Sequence, residues 1–258
     1  MLGRAGRPNL DDKGEGIIIT GYEELNFYLS LTTTSLPIES QFISQLPDQL
    51  NAEITLGTVR DLKQAVEWLG YTYLYKRMLA NPHVYSISIE EAESDLSLVK
   101  RRADLIHSAA CILNKNNLIE YNRSAGTFVP TTLGRIASHY YIKHPSIAIY
   151  AEHIRPGMGL IDLFRVFSLS SEFKFTPVRD SEKIELEKLM STVPVPVKGS
   201  FDDPRTKINV LLQAHISKMR LDGYALKSDM VYVTQSAARI MRGLFEVFLR
   251  RGWASVAI

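Results

Sequence analysis

Apolar residues recur at three- and four-residue spacing along most of this chain, and that period predicts a mainly α protein. Thr58 is placed to cap a helix whose inward positions are Val59, Leu62, Ala65, Val66 and Leu69. A second helix over about 71–80 stops before Pro82, because the residue ahead of a proline avoids helical geometry. A third, over about 93–113, sets Leu96, Val99, Ala103, Ile106, Ala110 and Leu113 on one face and ends at Asn116 and Asn117. Further helices are expected over 133–142, 146–154, 160–173, 181–190 and 204–218, separated by prolines. Pro204 sits at a first turn, where its missing N–H has no helical partner to lose. The last helix is expected from about Thr234 to Arg251, closed by Gly252.

Strand signals are few. Ile17-Ile18-Ile19-Thr20 follows a glycine-punctuated loop and predicts a short buried strand, with a helix over about 23–31 after it. That opening segment has nothing of its own to pack against. Residues 118–121 and 127–130 flank an Asn122–Gly126 turn and predict a hairpin. Helices followed by a small hairpin outline a winged helix.

Composition adds limits. The 258 residues are 45% hydrophobic and 22% charged, enough apolar material for real cores and against disorder. The formal net charge of +2 is too small to mark a nucleic-acid partner by itself, so such an argument must come from local placement of arginine and lysine. The single cysteine, Cys111, excludes an intramolecular disulfide and is expected as a small buried hydrophobe in a reducing compartment. No stretch approaches the roughly 18 apolar residues that span a bilayer, and no signal-peptide pattern opens the chain. His139, His144, His153 and His215 lack metal-ligand spacing with Cys or carboxylate partners, so no metal site is expected.

Two constellations can carry chemistry. In Gly3-Arg4-Ala5-Gly6-Arg7, two arginines each follow a glycine, which suits a loop approaching a charged ligand. Arginine can bridge the oxygens of a transferring phosphoryl group, the work of an arginine finger. A basic tail fits the same residues. On the last helix, Ser236, Arg239, Gly243, Glu246 and Arg250 fall three and four apart along one stripe flanked by Arg242, among apolar neighbours. The arginines of such a stripe can hold phosphates, with Gly243 permitting close backbone approach. A solvated face fits it too.

Gly3-Arg4-Ala5-Gly6-Arg7-Pro8 resembles the last helicase motif of superfamily 2, in the form used by DExH helicases of the Sec-domain class. The stretches at 13–20, 36–41, 133–142, 163–173, 207–214 and 231–239 extend the resemblance almost end to end, to the N-terminal cassette of the spliceosomal RNA helicases that unwind paired small nuclear RNAs. The stretches Ser168–Phe173 and Pro194–Lys198 favour the spliceosomal branch over related helicases of transcription, repair and meiosis.

The resemblance implies that residues 1–45 end a RecA-like α/β domain, 46–132 form a winged helix, and 133–258 begin an all-α Sec-type helical bundle. It implies Arg4 and Arg7 as catalytic fingers, with Gly3 and Gly6 shaping the loop at the ATP γ-phosphate. It makes the last helix a ratchet across the RNA channel, with Ser236, Arg239, Arg242, Gly243, Glu246 and Arg250 as RNA-contact candidates and Glu246 also able to orient an arginine. The wing around Arg123 is read as bracing the RecA-like domains. ATP and Mg2+ would serve the intact enzyme; single-stranded and small nuclear RNA, upstream RecA-like domains and spliceosomal proteins would be partners, in the nucleus. The sequence holds neither a G-x-x-x-x-G-K-[ST] loop nor an Asp-Glu-x-His box, so the chain alone is expected to be an inactive fragment that binds no cofactor. The rival reading is a non-catalytic winged-helix and helical-bundle module that binds RNA or protein.

Overall fold

The computed structural model describes residues 5–7, 9–33 and 38–253. The chain divides into two compact units, residues 1–39 and 40–258.

In the first unit a turn precedes an extended stretch and helix α1 (Tyr22–Thr33). Ile17–Thr20 is extended but forms no strand, and Ile19 is 95% exposed, which corrects the expected buried strand. A β-branched run is stabilised as a strand by a hydrogen-bonded neighbour, and among the described residues none pairs with it.

The second unit opens with α2 (Leu46–Leu56), α3 (Leu62–Leu69), α4 (Tyr73–Ala80), α5 (Ile89–Ser94) and α6 (Val99–Lys115). Strands β1 (Ile119–Asn122) and β2 (Thr127–Pro130) pair antiparallel, Ile119 opposite Pro130 and Tyr121 opposite Phe128. Asp61 bridges to Thr127, so the stretch before α3 joins the hairpin in winged-helix fashion. The cap of α3 is Asp61, whose carboxylate accepts from Gln64 N at 2.8 Å, in place of Thr58; the Thr58 hydroxyl turns back to the Glu53 carbonyl at 3.0 Å. The long helix expected over 93–113 is two helices. Ser88 and Glu91 form a capping box that starts α5, and Leu98 at φ 50° breaks the run before α6. Tyr71 and Tyr73 are exposed, while Tyr75 packs inward beneath the Arg102 guanidinium at 4.6 Å. Cys111 is only half-buried, against the expectation, with His107 Nε2 and Arg123 Nη2 each 3.5 Å from its sulfur.

The helical bundle follows as α7 (Thr132–His139), α8 (His144–His153), α9 (Leu160–Ser168), α10 (Lys183–Thr192), α11 (Pro204–Ile216) and α12 (Tyr224–Arg250). Helix α11 is its axis: every residue from Thr206 to Ala214 is buried, between α9, α10 and α12. Among the described residues no helix is long and apolar enough to cross a membrane.

Two polar devices hold this bundle. The Lys207 ammonium on α11 is fully buried and donates to Pro177 O at 2.7 Å, Asp229 Oδ2 at 2.6 Å, and Glu182. Arg179 closes the group, donating to Asp229 at 2.7 Å and Glu182 at 3.2 Å, so two cations meet two carboxylates. Glu172, buried at the start of α8, accepts from Lys143 N at 2.9 Å and from the Ser146 hydroxyl, satisfying amide and hydroxyl donors where the helix dipole favours negative charge.

The winged helix and the bundle meet at α2. Asn51 Nδ2 donates to the Gly134 carbonyl at 2.9 Å, and His144 N donates to Asp48 Oδ1 at 2.7 Å. A side chain at Gly134 would overlap the Leu118 carbonyl oxygen and lie 2.8 Å from Asn51 Oδ1. Gly134→Ala should therefore lower stability by about 1–3 kcal/mol, by analogy with overpacked cores, read as a shift in urea midpoint at unchanged slope. Lys207→Met should cost about 3–5 kcal/mol in the same measurement, because it leaves Glu182 and Asp229 buried around a single guanidinium.

Candidate functional site

Gly3 and Arg4 lie outside the described residues. Gly6 adopts φ 81°, a left-handed conformation that favours glycine, and turns the chain so that Leu10 and Asp11 N–H groups donate to the Arg7 carbonyl at 3.1 and 3.0 Å. Asp11 in return accepts from Arg7 N at 2.9 Å and from its Nε at 3.3 Å. The Arg7 side chain stays 73% exposed, so its terminal nitrogens reach outward from a turn that holds its base.

Helix α12 is ten residues longer at its start than the spacing suggests. Its start is capped from another helix: Glu185 on α10 accepts from Asp222 N at 2.7 Å and Gly223 N at 3.0 Å. Asp229, one turn in, joins the buried charge group. Burial pushes the Asp229 carboxyl up, but the Arg179 and Lys207 hydrogen bonds and charges outweigh it and hold it below the usual range. Tyr232, on the next turn, donates to the Glu172 carbonyl at 2.8 Å.

The polar stripe of α12 faces the end of α7. Arg239 Nη1 donates to Tyr140 O at 3.2 Å and to the Tyr141 carbonyl, and its Nη2 donates to Ser236 Oγ at 3.0 Å. Tyr140 OH donates to Glu246 Oε2 at 3.0 Å, and that bond, with burial and the Glu246 charge, raises the phenol above its ordinary range. Arg250 lies 3.5 Å from Glu246 Oε1 and keeps a largely exposed side chain. Gly243 is buried, and any side chain there would overlap Ile142. At Gly243 the close approach is that of Ile142 and the turn after α7.

The structure thus brings Ser236, Arg239, Gly243 and Glu246 together against residues 140–142, and leaves Arg242 outside that contact. Arg242 belongs to the neighbouring open face, about a quarter-turn around the helix, where Val231, Gln235, Ala238, Arg242, Phe245 and Leu249 recur at four- and three-residue steps, all exposed. Phe245 and Leu249 are 47% and 50% exposed. Sequence reasoning missed this face because its apolar members count toward a core; the signal available was that α12 carries more apolar residues than one buried stripe can use.

A cavity of about 570 Å³ lies between α2, α7 and the end of α12, bordered by Arg135, His139, Tyr141, Glu246 and Arg250. Arg135 and His139, four apart on the exposed side of α7, were also missed. A second hollow of about 760 Å³ lies beside the wing between α3 and α6, where Arg123 borders it with Lys63 and Glu67. Among the described residues no group of three or more His, Cys, Asp or Glu side chains is placed to hold a metal.

Residues 130–258 match the Sec63 Brl domain, and residues 39–115 match a winged helix-turn-helix domain. The chain is 61% identical to the DExH-box ATP-dependent RNA helicase DExH12 of Arabidopsis thaliana, over 100% of this chain and 12% of the relative. It is 58% identical to the U5 small nuclear ribonucleoprotein 200 kDa helicase of Homo sapiens, over 99% of this chain and 12% of the relative. Against the pre-mRNA-splicing factor brr2 of Schizosaccharomyces pombe the figures are 58%, 100% and 12%. The chain spans about 12% of the length of these curated relatives. With a match covering half its length and the winged helix-turn-helix domain before it, the chain belongs to the Sec63 Brl domain family.

Proposed function

We propose that this chain is the part of a spliceosomal ATP-dependent RNA helicase that completes the ATP site and grips the RNA strand. The supporting observation is end-to-end identity of 58–61% with proteins named as such helicases, combined with a long helix held on one side and open on the other. On this reading residues 1–45 end a RecA-like domain, 46–132 are the winged helix and 133–258 the start of the Sec-type bundle. The parent acts in the nucleus on small nuclear RNA duplexes, with ATP and Mg2+, among spliceosomal proteins.

Arg4 and Arg7 serve as fingers in this reading, with Gly3 and Gly6 shaping the loop at the γ-phosphate. The Asp11 contact keeps the stem of Arg7 in place while its outer nitrogens stay free for phosphate oxygens. The phosphate-cradling loop and the magnesium carboxylate must come from other domains, as the sequence here holds neither. Magnesium supplies the charge that neutralises the transferring phosphoryl group.

For RNA, the open face of α12 is the contacting surface. Arg242 meets a phosphate, Phe245 and Leu249 offer apolar surface to bases, and Arg250 extends the path toward Arg135 and His139. Ser236, Arg239 and Glu246 act mainly by positioning the helix, through their bonds to each other and to residues 140–141.

Replacing Arg242 by Glu should weaken binding of a fluorescein-labelled oligouridylate about ten-fold and make its salt dependence shallower by about 0.7 per lost phosphate contact, the single-strand value. Anisotropy titrations at several salt concentrations check this, and unchanged affinity sinks the RNA reading of α12. The purified chain should turn over no ATP with Mg2+. In the complete helicase, Arg7→Ala should lower kcat by about 10³-fold or more, as loss of an arginine finger does, with RNA affinity retained. A module working without catalysis predicts full helicase activity in that variant.

A further inference from the structure

The bundle carries another groove, on the side of α11 that faces α9. A cavity of about 360 Å³ opens between α9, the N-terminal turns of α11 and the extended segment 196–198. It meets a second hollow of about 390 Å³, and His153, Asp162 and Arg165 border both. Three cations stand around the first cavity: Arg165 on α9, Lys198 on the segment and Arg205 on α11. Each is exposed, and among the described residues none is in an ion pair.

The floor is polar and buried. Asn209 is 7% exposed; its Oδ1 accepts from Gln213 Nε2 at 2.9 Å, while its Nδ2 has no partner among the described residues. Thr206 is 4% exposed, and its hydroxyl likewise has none. Both residues line the cavity, so these unpaired donors open toward whatever fills it. The segment that carries Lys198 is anchored, because Gln213 accepts from Val195 N at 2.9 Å and donates to Val195 O at 3.1 Å. Gly199 then passes so close to Thr206 that any side chain would overlap its hydroxyl, which fixes the loop at the cavity edge.

Three unpaired cations over two unpaired donors outnumber the carboxylates of the lining, Asp162 and Asp203, and make a receptor for an oxyanion with phosphate chemistry. The rest of the lining suits more than a lone phosphate. Asp162 can accept from a ribose hydroxyl or a base amino group, and Ile161, Leu169, Pro196 and Val197 supply an apolar wall for a base. The adjoining hollow continues past His153 and Arg155, giving room for a neighbouring nucleotide.

We infer that the α9–α11 groove is a second RNA-binding site, separate from the open face of α12, that holds a backbone phosphate between Arg165, Lys198 and Arg205 above Asn209 and Thr206. This inference rests on the RNA-binding reading of the chain given above. The strand binds through its phosphodiester backbone, with little dependence on base identity.

The test uses the whole 258-residue chain and labelled oligouridylate. Asn209→Asp keeps the acceptor for Gln213 but places a carboxylate where the phosphate would sit. The double variant Arg165→Glu with Arg205→Glu changes only exposed side chains, so its fold, checked by thermal unfolding, should be kept. Each should weaken RNA binding by roughly ten-fold, and the double variant should make the salt dependence shallower by about 0.7 per lost phosphate contact. Combined with Arg242→Glu, the losses should multiply, since distant sites act independently. Groove variants that bind RNA like the parent chain, while Arg242→Glu weakens it, overturn the groove and leave the α12 reading standing. A folded chain that binds no RNA overturns both. A groove that takes a phosphoserine peptide and is indifferent to RNA also overturns the assignment.

Discussion

The approach of α7 to the winged helix at Gly134 sets the geometry of everything after it. The α7 backbone lies so near the Leu118 carbonyl that only a hydrogen fits between them, and Asn51 on α2 takes the Gly134 carbonyl from the other side. One turn earlier on α2, Asp48 holds the start of α8 through His144. A single helix therefore supplies core to the winged helix and two hydrogen-bonded struts to the bundle, and residues 40–258 form one compact unit. The cavity between α2, α7 and α12 has walls fixed by the same contacts.

Buried charge does a different kind of work. Desolvating Lys207, Glu182 and much of Asp229 costs more than an apolar core would, and the group offers no clear gain in net stability. It supplies location: Asp229 can satisfy Lys207 and Arg179 only in one rotation of α12. The main-chain carbonyl of Glu172 fixes the next turn as well, accepting from the Tyr232 hydroxyl. Further along, Arg239 and Glu246 tie the same side of the helix to residues 140–141. These anchors recur along the length of α12 on its inner side. The outer side, with Arg242, Phe245 and Leu249, carries no such anchor among the described residues.

Most of the architecture was legible because helix period, proline spacing and the Asn122–Gly126 turn are local signals. The hairpin and the helices of the bundle lie close to where apolar spacing puts them. What escaped was decided at a distance. The start of α12 is capped by Glu185, some forty residues away in sequence, so no local cap signals it. Ile17–Thr20 has strand composition, but composition cannot supply a pairing neighbour. Asp61 displaced Thr58 as a cap because Asp61 also bridges to the hairpin at Thr127, again a non-local contact. The stretches that carried the family resemblance have physical reasons to be distinctive. Ser168–Phe173 contains the buried carboxylate at the start of α8, Pro194–Lys198 is gripped by Gln213, and Lys207–Ala214 is buried along its whole length.

The helix of the candidate site was legible in the sequence, and what its polar stripe meets was not. Periodicity groups residues by direction, but it does not say what lies in that direction. Polar residues at three- and four-residue steps suggest water or a ligand; here they meet backbone carbonyls of Tyr140 and Tyr141, the Tyr140 hydroxyl and one another. Apolar residues at the same steps suggest a core; on α12 there are two such series, and only one is buried. On the proposed RNA-binding reading, this inversion separates two ways of losing RNA affinity. A change at Arg242 removes a charge from an exposed surface. A change at Arg239 or Glu246 frees the turn after α7 and lets the helix rotate, so its effect should reach every contact along the open face at once. On that reading the inward stripe acts on the ligand through geometry, and the outward one through contact.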